Sequence, residues 1–326
     1  MHAALQPLGP FDPLVRVHRA APPNHNAGPV TGVDAVEVVG DALAQHWGLH
    51  GRPLTECTPG SLSRAWLVAG LDHAEPAGVA KLARNTLEHF DVGLRVSEII
   101  NAAGITSGVP ILTQRGERAV AMTVGDAPHS LAVLTFVRGT PPTDRLFFGP
   151  AELGRLLGRV HASLAGVELS GGWTTEDVIE HTEGGILPNH PGWVAAFVHP
   201  ALAAVKRWMV DATPRCQLLR GDGPEILVDG GHFAGLIDWG ATRWGSVSDD
   251  IGCWTVHYGR FYDTYRSFTE TFVAAYRDEA PLTAEEEDAI PLFQAFRLAS
   301  RPTYMQDEST LADMKRWVDT WRRQAS

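Results

Sequence analysis

The stretch "LLRGDGPEILVDGGHFAGLIDWG", Leu218 to Gly240, constrains the fold of this chain more than any other. Its apolar runs, Ile226-Leu227-Val228 and Leu236-Ile237, read as the two strands of a β-hairpin. An aspartate stands at each end, in Gly221-Asp222-Gly223 and in Asp238-Trp239-Gly240. Such a hairpin brings two carboxylates to one edge of a cleft. One acid can hold a divalent cation through hard oxygen ligands. The other can orient or deprotonate a hydroxyl nucleophile.

What surrounds the hairpin differs on its two sides. Residues 1–32, rich in Pro, His and Gly, show little periodicity and predict a loosely held arm, with His18 and His25 as solvated histidines. Residues 33–50 repeat Val36, Val39, Leu43 and Trp47 at helical spacing. "RAWLVAG" and "AGVAKLA" predict an antiparallel pair turning at Asp72-His73, "VGLRVSEIINAAG" a helix ending at Gly104, and "VPIL", "AVAMTV" and "SLAVLTFV" three strands. A linker signal, Arg138–Pro142, follows, and helices dominate beyond it. "AELGRLLGRVHASLAG" shows one apolar face, Val194–Val210 predicts a helix bent at Pro200, and Phe261, Tyr265, Phe268, Phe272 and Tyr276 form an aromatic stripe. Thr283 with Glu286 makes a capping box, and "LADMKRWVDTWRR" a closing helix.

The 326-residue chain carries a formal net charge of −11, which disfavours nucleic acid as a partner. Its three cysteines, Cys57, Cys216 and Cys253, are too scattered for a disulfide framework or a zinc site. No apolar run approaches the roughly 18 residues of a membrane span, and no charged-then-apolar leader opens the chain. A cytoplasmic protein without a membrane partner, a monomer or weak dimer, is expected. The common phosphate-loop, dinucleotide, zinc-protease and serine-hydrolase patterns are all missing. Phosphoryl transfer needs both acids and a lysine on the nucleotide phosphates. Lys81 is such a lysine, costly within the apolar strand "AGVAKLA" unless its ammonium meets anions, and Glu98 on the next helix offers one.

The order Lys81, Glu98, linker, Asp222, Asp238 resembles the aminoglycoside phosphotransferase and choline kinase-like group of protein-kinase-like enzymes, from about Val36 to the C-terminus. The likeness also rests on "AGVAKLAR", "RVSEIINAAGITSGVP", "LTFVRGTPP", "LGRLLGRVHASL" and "GSVSDDIG". It implies an α+β bilobal protein-kinase-like fold: a β-rich nucleotide lobe over 33–137, a hinge near Thr135–Arg138 including Val137, and a larger, mainly helical lobe over 138–326. It implies ATP or GTP with Mg2+. Lys81 would hold the phosphates with Glu98 as its helix partner, and Ser61 and Ser63 would lie in the nucleotide loop. Asp222 matches the catalytic aspartate, Asp238 the metal-binding one, and Asp250 an aspartate that braces the catalytic loop.

The chain departs from that pattern in three places. Arg220 stands where the family has histidine, Leu227 where it has a metal-binding asparagine, and Gly245-Ser246-Val247 where it has Gly-Asp-Pro. The loop is two residues short, so Glu225 is expected to help Asp238 hold magnesium, and Arg220 to offset its charge or reach a phosphate. The alternative is a degenerate kinase-like protein that binds nucleotide or substrate without transfer. A small-molecule hydroxyl (antibiotic, amino alcohol or sugar-like) or a peptide Ser/Thr is the expected acceptor. It would dock between the hairpin and helices near 173–210 and 255–305, a region holding Trp173, Trp193, Trp208, Trp244 and Trp254. The acids Glu176, Asp177, Glu180, Asp307 and Glu308 there would suit ammonium-rich sugars.

Overall fold

A computed structural model describes residues 34–57, 63–71, 75–125, 127–144, 146–262, 264–302 and 307–325. The N-terminal arm, the Asp72-His73 turn and Ser61 lie outside the described residues. Helix α1 (Asp34–Trp47) opens the described chain, followed by strands β1 (Leu54–Glu56), β2 (Ser63–Ala69) and β3 (Pro76–Ala83). Helix α2 (Leu87–Ala102) and strands β4 (Pro110–Ile111), β5 (Val120–Val124) and β6 (Ala127–Leu134) complete this half. One antiparallel sheet runs β1-β2-β3-β6, with β4 and β5 sharing the far edge of β6. Short β1, with mostly exposed side chains, has no alternation to betray it in the sequence.

Strand periodicity sorts this sheet into two faces. Trp66, Val68, Ala80, Leu82, Leu131 and Val133 point one way and close a core under Ala35, Val39 and Leu43 of α1. Lys81 and Ala83 alternate with them onto the other face, where Ala83 meets Phe90 and Leu94 of α2. The cross-strand neighbours of Lys81 are alanines, Ala65 and Ala132, which leave space for its stem.

The remainder is mainly helical: α3 (Pro150–Leu164), β7 (Trp173–Thr174), α4 (Thr175–Gly184), α5 (Gly192–Ala212), β8 (Gln217–Leu219), β9 (Glu225–Asp229), β10 (His232–Ile237), β11 (Arg243–Gly245), α6 (Val247–Gly259), α7 (Tyr265–Arg277), α8 (Ala284–Asp288), α9 (Ile290–Ser300) and α10 (Glu308–Ala325). The expected hairpin is β9–β10, with Gly230 and Gly231 at positive φ in its turn. Strand β11 lies between β7 and β8. Pro200 falls inside α5, which continues through it. Helix α6 has no amphipathic stripe because twelve of its thirteen residues are buried, so periodicity does not reveal it.

Two helical cores result. One packs α4, α5, α9 and α10 around Leu202, Phe293, Phe296 and Met314. The other unites the halves: Val92, Val96 and Ile100 of α2 pack with Leu157 of α3, Trp254 of α6, Phe272 of α7 and Leu236 and Trp239 of the hairpin. Helix α2 thus spends one face on the sheet and a second on the helices. The segment after β6 is held at both ends: Arg138 pairs with Glu75, and Thr140 exchanges backbone hydrogen bonds of 2.8 and 3.0 Å with Val228.

Phe272 is wholly buried in the uniting core, with Trp254 at 6.4 Å between ring centroids. Phe272→Ala is expected to cost about 3–5 kcal/mol of unfolding free energy in denaturant titration. A loss under about 1 kcal/mol would mean that this core is not packed as described.

Candidate active site

The loop that carries Asp222 is built on Asp250, whose carboxylate is fully buried at the start of α6. It accepts the backbone N–H of Arg220 at 2.7 Å and that of Gly221 at 2.8 Å. His161 of α3 donates to it at 3.1 Å and is itself fixed by the Tyr276 hydroxyl at 2.8 Å. Burial works against the Asp250 charge, but these hydrogen bonds win and hold its carboxyl below the ordinary value. The next residue has a separate task. Asp249 binds Arg243 through two contacts of 2.8 and 3.0 Å and accepts Thr175 Oγ1 at 3.0 Å. Burial pushes its carboxyl up, and the arginine opposes that push. Arg243 also donates to the Gly221 carbonyl. Gly221 permits this crowding: it sits at φ 81°, and a Cβ there would lie 1.9 Å from the Ala241 carbonyl oxygen.

Arg220 is a strut, not a phosphate ligand. It is 1% exposed, and its guanidinium donates to the carbonyls of Gly223, Ile237 (2.8 Å) and Asp238 (3.1 Å). The expectation that it reaches a phosphate is therefore corrected: the side chain turns inward and ties the Asp222 loop to the Asp238 loop. It lies 5.8 Å from the centre of the Trp239 ring. Burial lowers its pKa from the ordinary value, and the charges of the Asp238, Glu225 and Asp250 carboxylates oppose that shift only in part.

Asp238 sits at φ 63°, a left-handed backbone that aspartate tolerates better than most side chains. Its Oδ1 accepts Lys81 Nζ at 2.5 Å and the Gly240 N–H at 3.2 Å. Burial alone would raise this carboxyl, but the charges of Lys81 and Arg220 and the hydrogen bonds hold it at about 2. Trp239, beside it, points into the core and donates to Ser107 Oγ at 2.7 Å, while Gly93 lets α2 close on the loop, since a Cβ there would stand 2.3 Å from the Trp239 carbonyl oxygen. His89 of α2 donates to the Gly240 carbonyl at 3.3 Å, and burial pushes its pKa below the ordinary histidine value.

Glu98 is not the partner of Lys81. It accepts Arg118 Nε at 2.8 Å, and Asp91 pairs with the same arginine at 3.7 Å. Both apolar faces of α2 are already spent on packing, so its acids fall on the remaining side. Glu225 is exposed at the start of β9, in register with Ile237, one residue before Asp238. Among the described residues, no group of three or more His, Cys, Asp or Glu side chains forms a cation site. Asp238, held ionised, with Glu225 paired to the residue before it, offers the hard oxygen that a divalent cation would need. Ser63 starts β2 opposite Ala83, Thr135 exchanges hydrogen bonds with Val109, and Val137 is buried against Gly235.

The Asp222 side chain is half-exposed, with Oδ1 accepting the Gly223 N–H at 2.6 Å, while the Trp254 indole donates to its carbonyl at 3.0 Å. Arg297 of α9 donates to the same Oδ1. Sequence reading missed this contact, and no local motif signals it: the partners lie 75 residues apart. Of the other expected pocket residues, Trp193 and Trp208 pack on the second core, and Trp244 on the first. Trp173 lies against His89 and His181. Asp177 caps α4, and Asp307 binds Ser309 and Thr310 at the start of α10. Glu176, Glu180 and Glu308 are exposed.

No family model matches the sequence, and no curated protein does. Solved structures match the fold. An aminopropanol kinase associated with a microcompartment superposes with a TM-score of 0.69 at 17% identity, over 88% of this chain and 95% of its own. An amicoumacin kinase, solved with AMP-PNP, Ca2+ and its antibiotic, gives 0.68 at 16% identity, over 88% and 92%. The choline kinase of Streptococcus pneumoniae gives 0.61 at 12% identity, over 88% and 99%. The chain has the bilobal α+β fold of these small-molecule kinases.

Two measurements check this geometry. Arg220→Met removes a charged donor from three carbonyls and is expected to cost at least about 3 kcal/mol of stability. Unchanged stability with weakened nucleotide affinity would return Arg220 to the cleft. In an NMR titration, Asp238 is expected to protonate near pH 2. The stability tied to its depressed pKa is complete above the unfolded value near 3.8 and is lost as pH falls through about 2. Lys81→Met should move that titration upward, and no movement would deny the Lys81–Asp238 contact.

Proposed function

We propose that the chain is an ATP- or GTP-dependent phosphotransferase that moves the γ-phosphoryl group to an alcohol of a small molecule. The observation that carries this reading is the Lys81–Asp238 contact. A lysine from the sheet and an acid from the hairpin, 157 residues apart, meet at 2.5 Å where the halves join, beside the Asp222 loop. The matched small-molecule kinases, one with a nucleotide analogue and a divalent cation bound, support the same reaction class. We place the division between nucleotide and acceptor lobes near residues 137–138.

In this reading Lys81 leaves Asp238 for the nucleotide phosphates, freeing the carboxylate as a ligand. Magnesium on Asp238, with Glu225 nearby, would neutralise the charge that gathers on the transferring phosphoryl group. Asp222 orients the acceptor hydroxyl and takes its proton. The acceptor oxygen gains its bond to phosphorus as the bond to the nucleoside diphosphate oxygen breaks. Arg220 and Asp250 keep the two loops at a fixed separation, which supplies positioning rather than chemistry.

A second reading has one observation in its favour. The Arg297 contact occupies Asp222 Oδ1, one of the two oxygens that could receive the proton. A protein that binds nucleotide without transfer could leave it there.

Coupled assays of diphosphate release over a panel of alcohols separate the two. Asp222→Asn and Asp238→Asn are each expected to lower turnover by at least about 10³-fold. Glu225→Gln should raise the magnesium requirement. Glu98→Gln, which removes a pair with Arg118 and not one with Lys81, should leave the nucleotide KM within about twofold. A magnesium–nucleotide melting shift with no acceptor-dependent turnover would favour the binding protein. Turnover undiminished in Asp222→Asn would overturn the mechanism.

A further inference from the structure

We propose that Arg297 is a positioning residue of the transfer step: it clamps Oδ1 of Asp222, so that Oδ2 is the oxygen presented to the acceptor hydroxyl. The proposal rests on the phosphotransfer reading and adds to it how the base is aimed.

Both donors to the Asp222 carboxylate meet on one oxygen. Oδ1 accepts the Gly223 N–H at 2.6 Å and the Arg297 guanidinium. Among the described residues no hydrogen bond reaches Oδ2. The carboxylate is half-exposed, whereas the arginine is mostly buried. The last torsion of an aspartate is soft, so a single backbone donor leaves the carboxylate free to turn. A second, charged donor on the same oxygen removes much of that freedom.

The arginine is itself carried by a pinned helix. Gln294 stands one turn earlier on α9. Its amide donates to Thr255 of α6 at 2.9 Å and to Thr269 of α7 at 3.0 Å, and its Oε1 accepts the Trp321 indole of α10 at 3.0 Å. Gly252 lets α6 close on α9: a Cβ there would lie 2.8 Å from the Gln294 backbone nitrogen. From α6, Trp254 donates to the Asp222 carbonyl at 3.0 Å. One interlocked pair of helices therefore fixes the backbone of Asp222 through Trp254 and its side chain through Arg297.

Phosphoryl transfer asks more of position than of base strength, because there is little covalent chemistry for the protein to do. With Oδ1 occupied, the acceptor O–H bond breaks to Oδ2 as the acceptor oxygen bonds to phosphorus and the nucleoside diphosphate leaves. Oδ1 keeps both its donors throughout. Occupation of Oδ1 is then no obstacle to transfer. The guanidinium also favours the ionised carboxylate, the form that can take a proton. The other titratable groups around this loop are Arg220 within it, Asp250 beneath it, Glu225 at the start of β9 and His257 of α6, which borders Gly223. Substitution at Arg297 leaves all four in place.

The first test is a side-chain carboxyl NMR titration of the full chain, with the Asp222 signal assigned by its loss in Asp222→Asn. Removing a cation makes a carboxylate easier to protonate. The Asp222 midpoint should therefore move upward by about one pH unit in Arg297→Met. Arg297→Lys keeps the charge but not the fork, should fall between, and guards against a folding defect in the methionine variant. The second test follows diphosphate release from magnesium–ATP with water, glycerol or ethanolamine as acceptor. In Arg297→Met, kcat should fall by about tenfold or more, while the nucleotide KM stays within about twofold. The acid limb of the kcat profile should move upward with the NMR midpoint. An unmoved midpoint would show that no clamp exists. A kcat that rises in Arg297→Met would show that the arginine blocks the base, and a kcat that falls with the acid limb unmoved would reduce the residue to a structural support. Either result would overturn the proposal. A wild-type chain without turnover would count against the phosphotransfer reading, and the NMR midpoint would still decide the clamp.

Discussion

The architecture of the site hangs on one buried cation. Arg220 donates its backbone N–H to Asp250 and its guanidinium to carbonyls of Gly223, Ile237 and Asp238. The residue therefore joins the base of the Asp222 loop to both ends of the structure that carries the two acids. A buried guanidinium is costly alone. Here several oxygens share it, and neighbouring carboxylates oppose part of the burial cost. Removing it would leave carbonyls unpaired in a low-dielectric interior, where an unmade hydrogen bond is most expensive. Conformational freedom of the two loops is given up in exchange for a fixed spacing between Asp222 and Asp238.

That strut works because the rest of the molecule presses on it. Helix α2 faces the sheet with Phe90 and Leu94 and the helical core with Val92, Val96 and Ile100. Gly93 lets it approach the Trp239 carbonyl, and the Trp239 indole reaches Ser107. The Asp238 loop is thus gripped from the sheet side as firmly as from the hairpin side. Lys81, on the α2 face of β3, completes the grip at Asp238.

Much of this was legible in the sequence, for identifiable reasons. The hairpin and its two acids stood out because glycine-flanked aspartates beside short apolar runs leave a local signature. Lys81 stood out because a charge inside an apolar strand is expensive. Helix α6 was hidden by burial on every side, and β1 by its exposure and brevity. Pairings across long separations were the least readable. Glu98 had the right spacing for Lys81 but the wrong face of α2, and found Arg118. Arg220 was expected to offset the charge of Glu225 or to reach a phosphate, and nothing local in the sequence shows that the fold closes carbonyls around it. Arg297, whose partner is 75 residues away, carried no pattern at all.

The central claim is that Lys81 and Asp238 form the seat of a magnesium–nucleotide complex, held ready as an ion pair. Calorimetric titration of the full chain with AMP-PNP, with and without magnesium, tests it most directly. The account predicts one nucleotide per chain, binding that needs magnesium, and loss of that binding in both Lys81→Met and Asp238→Asn. Binding of equal strength without magnesium, or in Asp238→Asn, would contradict it.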